Sequence, residues 1–110
     1  ALPLSNDKRL YFMNNKKFGL PMEGEYTLKG ETYSCGEEEG CLGLYDVGRG
    51  HFTYFTNWVW ASLMTYLNKG TDQEVVISVN MGEGLGVNFK SEEKASEDFI
   101  TVNGKHYKLD

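Results

Sequence analysis

Between Asp46 and Trp60 the chain gathers a carboxyl, a guanidinium, an imidazole, a phenol and two indoles, as Asp46, Arg49, His51, Tyr54, Trp58 and Trp60. These are the residue types of proton transfer beside an aromatic wall. An apolar pocket pushes a carboxyl toward its acid form, and histidine titrates near neutrality, so Asp46 or His51 suits a general acid. Tyr54 is the third catalytic candidate. Indole faces attract positive charge. Phe52, Tyr54, Trp58 and Trp60 are all even-numbered, so in an extended strand they share one face, the geometry of a cavity wall. Arg49, Phe52, Trp58, Trp60 and Asn80 are the ligand-binding candidates.

Ordinary structural roles compete at each position. Asp46 and Arg49 flank Gly48 and suit a turn held by an ion pair. Tryptophans on a strand commonly belong to a core. His51, next to Gly50 at a strand start, suits a surface or hydrogen-bonded role, and Asn80 suits a backbone bond at a strand end.

Other chemistries find less support. Cys35 and Cys41 bracket two glycines and three glutamates, Gly36-Glu37-Glu38-Glu39-Gly40, which reads as a solvated turn. A disulfide across that turn requires Cα atoms within about 7 Å and stays open. Zinc needs further ligands at matched spacing, and His51 and His106 form no such pair. The glutamates lack the spaced oxygens of a calcium loop. No metal or cofactor is expected. The glycines Gly82, Gly84 and Gly86 follow a strand as a phosphate loop would, but no helix with an apolar face comes next, so a turn or bulge is expected.

The elements that must position these residues read as short strands. Residues 9–15 suit a strand, Asn14–Lys17 a polar turn, and Phe18–Pro21 an extended connector. Residues 24–34 alternate as one half-buried strand broken or bulged at Gly30. Strict alternation continues from Phe52 to about Met64 with both faces largely apolar, as for a strand covered on both sides or lining a barrel. Trp60, Leu63, Met64 and Leu67 also sit at helical spacing, although the β-branched and aromatic residues upstream favour strand. A turn is expected through Asp72. Residues 74–80 form the clearest strand, and Asn103-Gly104 between two strands, residues 99–102 and 105–109, is a strong hairpin signal. Seven or eight strands with turns about every ten residues point to an antiparallel sheet curled into a barrel or sandwich.

The 110-residue length bounds this to one domain. With 14% aromatic residues the chain is too apolar to be a disordered polar segment. The 11 Lys and Arg are scattered and the net charge is −5, which argues against a nucleic-acid partner. No apolar run approaches the roughly 18 residues of a membrane-spanning helix. The first residues show neither methionine nor a signal pattern, so a piece of a longer, intracellular soluble protein is expected.

Asp46 with Gly48-Arg49-Gly50, then Trp58-Val59-Trp60-Ala61-Ser62, Val79-Asn80, Glu97-Asp98 and Val102-Asn103-Gly104-Lys105 through Leu109 form a familiar succession. It resembles a lipocalin-like family described mostly as a conserved domain of unknown function. That family looks related to the carotenoid hydratase (hydroxyneurosporene synthase) superfamily and to lipocalin-like pericyclases. Two positions depart from the pattern: Val47 stands where an aromatic residue is usual, and Asp98 where an asparagine is. The resemblance implies an all-β, antiparallel lipocalin-like barrel or half-barrel, and a parent protein of two such halves. It also implies a proton donor acting on an apolar polyene between aromatic walls.

Three functions follow as expectations. The first is binding of an apolar or lipid-like small molecule in a β-barrel cavity. The second is acid catalysis of the hydratase or cyclase type on an isoprenoid-like substrate. The third is a structural role, with the remaining half of the same protein or another subunit as partner.

Overall fold

In a computed structural model, described for residues 2–3, 10–52, 54, 57–84 and 97–109, the chain is all-β. Nine strands and no helix are present among these residues. They are β1 (Leu2–Pro3), β2 (Tyr11–Leu20), β3 (Gly24–Leu28), β4 (Glu31–Cys35), β5 (Gly43–His51), β6 (Val59–Leu67), β7 (Val75–Glu83), β8 (Phe99–Val102) and β9 (Lys105–Lys108). All pairings are antiparallel, in a three-stranded sheet β1-β2-β5, a two-stranded sheet β3-β4 and a four-stranded sheet β6-β7-β8-β9. Among the described residues the sheets do not close into a barrel.

Turn chemistry fixes the registers. At Asn103-Gly104 both residues have positive φ, 47° and 78°, the type I′ geometry that suits the twist of a hairpin. Asn103 also exchanges two 2.9 Å bonds with Val76: its N–H donates to the Val76 carbonyl and its Oδ1 accepts from the Val76 N–H. The hairpin is thereby tied to β7 one step beyond their ladder. Lys29 and Gly30 repeat the geometry, with φ of 52° and 82°.

Several sequence expectations are corrected. Residues 24–34 break at Gly30 rather than bulge there, and are largely exposed rather than half-buried, because Lys29-Gly30 folds them back as the β3-β4 hairpin, with Tyr26 opposite Tyr33 and their rings stacked at 5.2 Å. The expected turn at Asn14–Lys17 is strand. Residues 11–17 pair without interruption with 45–51, and the register shifts only between Lys17 and Leu20. A continuous partner outweighs the turn preference of asparagine. The strand expected from Phe52 begins at Val59 and runs to Leu67, which decides against the helix, and Thr53, Phe55 and Thr56 lie outside the described residues. β7 continues past Asn80 to Glu83, so Gly82 is a strand residue and the chain bends at Gly84. Leu85 and Gly86 also lie outside the described residues.

Period-two alternation divides the four-stranded sheet into two unlike faces. Trp60, Ser62, Asn80, Ser78 and Thr101 turn toward β2; Ser78 and Asn80 are fully buried there, and the Ser78 and Thr101 hydroxyls hydrogen-bond across the strands. The opposite face carries Val59, Leu63, Leu67, Val79, Ile100 and Tyr107, with Val59 73% and Leu63 59% exposed. Toward β2 the sheet mixes these polar groups with Trp60, Met64 and Phe99, whereas its outward face is largely apolar. β2 packs on the inward face through Phe18, whose ring meets Phe99 edge-on at 5.3 Å, and through Gly19, whose N–H points to Met64 Sδ at 3.3 Å.

Candidate functional site

The register of β2 on β5 puts Phe12, Asn14 and Lys16 on the inner face with Gly50, Gly48 and Asp46 directly opposite them. Gly48 has a steric reason to lack a side chain, because the Phe12 ring occupies the space a Cβ would need. Lys16 is the hub. Its Nζ lies 2.6 Å from Asp46 Oδ2, 3.9 Å from Glu97 Oε2 and 4.9 Å from the centroid of Trp60. The Lys16 side chain is 9% exposed and that of Glu97 12%. An ammonium as buried as that of Lys16 persists only when paired, here with Asp46.

A relay of neutral hydrogen bonds places Glu97. The Trp60 indole N–H donates to Asn80 Oδ1 at 2.8 Å, and Asn80 Nδ2 donates to the Glu97 carbonyl at 2.8 Å. Next along the chain, Asp98 Oδ1 accepts from the Gly82 N–H at 2.8 Å. Burial raises the Glu97 pKa from its ordinary value; Lys16 and Lys108 oppose this rise, and Asp46 and Asp98 add to it.

Two adjoining clefts open on this cluster. The larger, about 800 Å³, lies between β2-β5 and the β8-β9 hairpin, reaching Phe99, His106 and Lys108. The smaller, about 310 Å³, is walled by Phe12, Phe52, Trp58 and Trp60. Lys16, Asn14 and Glu97 line both. Asn14 Oδ1 is buried without a hydrogen-bond partner among the described residues. The arrangement joins an aromatic wall to a floor of one lysine and two carboxyls, which can hold an apolar body and address a polar group on it.

The residues singled out from the sequence separate on alternation. Asp46 faces inward, with Phe52, Trp58 and Trp60 along the same smaller cleft. Arg49 pairs with Met13 and His51 with Tyr11, placing both on the other face of β5 from Asp46. Arg49 still reaches the rim of the larger cleft, while His51 contacts the Tyr11 ring at 5.4 Å. Tyr54 is 94% exposed. Asn80 is wholly enclosed between Trp60 and Glu97, so it supports the wall from behind.

Lys16 and Glu97 are absent from the sequence-based candidates. Phe12, Asn14, Lys16 and Phe18 alternate, and reading them as one strand would have set Lys16 on the face of Phe12. Glu97 carries no local signal of burial; only its partners across the sheet reveal it.

Cys35 and Cys41 are free thiols. The Cys35 thiol is shifted upward, first by its hydrogen bond with Cys41 and then by burial. The turn between them is closed by the Cys41 N–H donating to the Gly36 carbonyl at 2.9 Å, and Lys69 Nζ caps the carbonyls of Glu37 and Glu38. Among the described residues no group of three or more His, Cys, Asp or Glu is placed to hold a metal ion, and no helix is long and apolar enough to cross a membrane.

A family model described as a domain of unknown function (DUF2804) matches residues 1–110. No curated protein and no solved structure matches the chain.

Proposed function

The chain belongs to the DUF2804 family of domains of unknown function, and we propose that it binds an apolar or lipid-like small molecule in the cleft between its sheets. The observation that carries this reading is the aromatic wall: Phe12, Phe52, Trp58 and Trp60 surround the smaller cleft, with Phe52 49%, Trp58 57% and Trp60 41% exposed. Large aromatic side chains open to solvent along a concave wall lose that exposure to a ligand, at a gain of roughly 25 cal/mol for each Å² of apolar surface covered.

We take the domain as lipocalin-like and related to the carotenoid hydratase superfamily, on the succession of residues from Asp46 to Leu109. The outward apolar face of the four-stranded sheet then belongs against the remaining half of the same protein or another subunit. A second reading, acid catalysis on the bound molecule, is favoured by one observation: two carboxyls, Asp46 and Glu97, stand 2.6 and 3.9 Å from Lys16 Nζ on the cleft floor.

The test uses the uncharged naphthyl ketone Prodan, whose emission reports apolar surroundings. Saturable binding with energy transfer from tryptophan, weakened at least several-fold by Trp60→Leu, is the expected result. Emission that grows linearly with probe, or saturates equally in the variant, contradicts a site in this cleft.

A further inference from the structure

We propose that Glu97 is the ligand-facing hydrogen-bond donor of the cleft, held in its acid form on the floor, so that the cleft takes uncharged molecules carrying an acceptor oxygen on an apolar body. This rests on the cleft being a ligand site.

The geometry of Lys16 is the first ground. One ammonium faces two carboxyls, and it commits to Asp46 at 2.6 Å while Glu97 stands at 3.9 Å, beyond hydrogen-bond reach. On a third side Lys16 meets the Trp60 ring at 4.9 Å. Ionising Glu97 would therefore place a second negative charge beside a lysine already paired, in a position 12% exposed. Protonating it leaves the cluster neutral. Burial, the largest influence on Glu97, acts in the same direction.

The groups that face Glu97 come from every neighbouring element described. They are Lys16 from β2, Asp46 from β5, Asp98 beside it and Lys108 from β9, with His106 on the same larger cleft. Asp46 and Asp98 raise its pKa and Lys16 and Lys108 lower it.

The second ground is fixed placement. Asn80 holds the Glu97 carbonyl, Asp98 holds the Gly82 N–H, and Gly82 contributes no side chain where a Cβ would lie 3.5 Å from Glu97 Oε2. The carboxyl stands on a braced backbone and lines both clefts. A protonated carboxyl donates one hydrogen bond, which suits a ketone, ether, ester or alcohol oxygen. An anionic ligand would meet Asp46 nearby. A cationic ligand would favour ionised Glu97 and bind better as pH rises, the opposite trend.

Two measurements on the intact chain test this. In the first, infrared spectroscopy follows the carbonyl stretch of protonated carboxyl groups across a pH series. One band, missing from Glu97→Gln, is expected to titrate at higher pH in the native protein than in urea. A native titration matching the unfolded chain overturns the acid-form assignment alone and leaves the ligand site standing.

In the second, Prodan affinity is measured over the same series. Wild type is expected to lose roughly fivefold as pH rises through the Glu97 titration, the worth of one hydrogen bond. Glu97→Gln, which keeps a neutral donor, should bind without that step, and Glu97→Leu should bind weakly throughout. The same step in Glu97→Gln overturns the donor role. A folded wild type with no saturable binding at any pH overturns the ligand-site reading, and the donor role with it.

Discussion

Because burial raises its pKa, Glu97 holds its proton more tightly in the folded chain than in the unfolded one. The stability it contributes is therefore fully present below the unfolded pKa and is lost as pH rises through the folded pKa. Urea denaturation across a pH series should show wild type losing stability relative to Glu97→Gln as pH rises from the unfolded through the folded pKa of Glu97; parallel curves would contradict this. Asn80 tests the other half of the arrangement. Asn80→Leu strands the Trp60 indole N–H and the Glu97 carbonyl, and should cost about 1–3 kcal/mol by equilibrium denaturation. An unchanged midpoint would show that the relay is not what holds the wall. Residue types alone pointed to Asp46 and the tryptophans. They did not point to Lys16, whose role depends on an ion pair 30 residues away in sequence, or to Glu97, whose burial depends on a strand it does not belong to.

Among the elements, hairpins were the most legible, because their signal is local. Asn103-Gly104 requires positive φ at two successive residues and uses the residue types that tolerate it. Lys29-Gly30 makes the same turn with a lysine at the first position, which hid it behind the alternation of its neighbours. Lys29→Asn should stabilise the chain by about 1 kcal/mol, since asparagine tolerates left-handed backbone better than lysine does; thermal unfolding with no gain would count against the assigned turn. The extent of β2 was illegible for the opposite reason. Asn14, Asn15, Lys16 and Lys17 favour a turn taken alone, and only β5 alongside makes them strand. That pairing also explains Gly48. A methyl group there would displace Phe12 from the wall, so Gly48→Ala should weaken Prodan binding several-fold with secondary structure unchanged by circular dichroism.

For the whole molecule, the all-β class was readable from alternation and turn spacing, whereas which face of each strand meets the other sheet was not. Both sides of Val59–Leu67 are apolar enough to be read as interior, and register with β7 decides that Trp60 turns inward with Asn80 and Ser78 while Val59, Leu63 and Leu67 turn outward. The outward face gives the isolated chain a contiguous apolar surface of the kind that marks interaction sites. The dye ANS should fluoresce strongly with the folded chain, and Leu63→Lys, at a position 59% exposed, should lower that emission with little change in stability. Emission unaffected by the substitution would place the dye elsewhere. The inward face leads back to the cleft.

Both tryptophans of the chain, Trp58 and Trp60, line that cleft, so the most direct measurement is fluorine NMR of protein labelled with fluorotryptophan and titrated with Prodan. Single Trp→Phe variants assign the two resonances. A ligand seated against the wall shifts both, saturably and with one dissociation constant. Two resonances that stay fixed while Prodan binds elsewhere, or that drift linearly without saturation, would contradict a small-molecule site between the sheets.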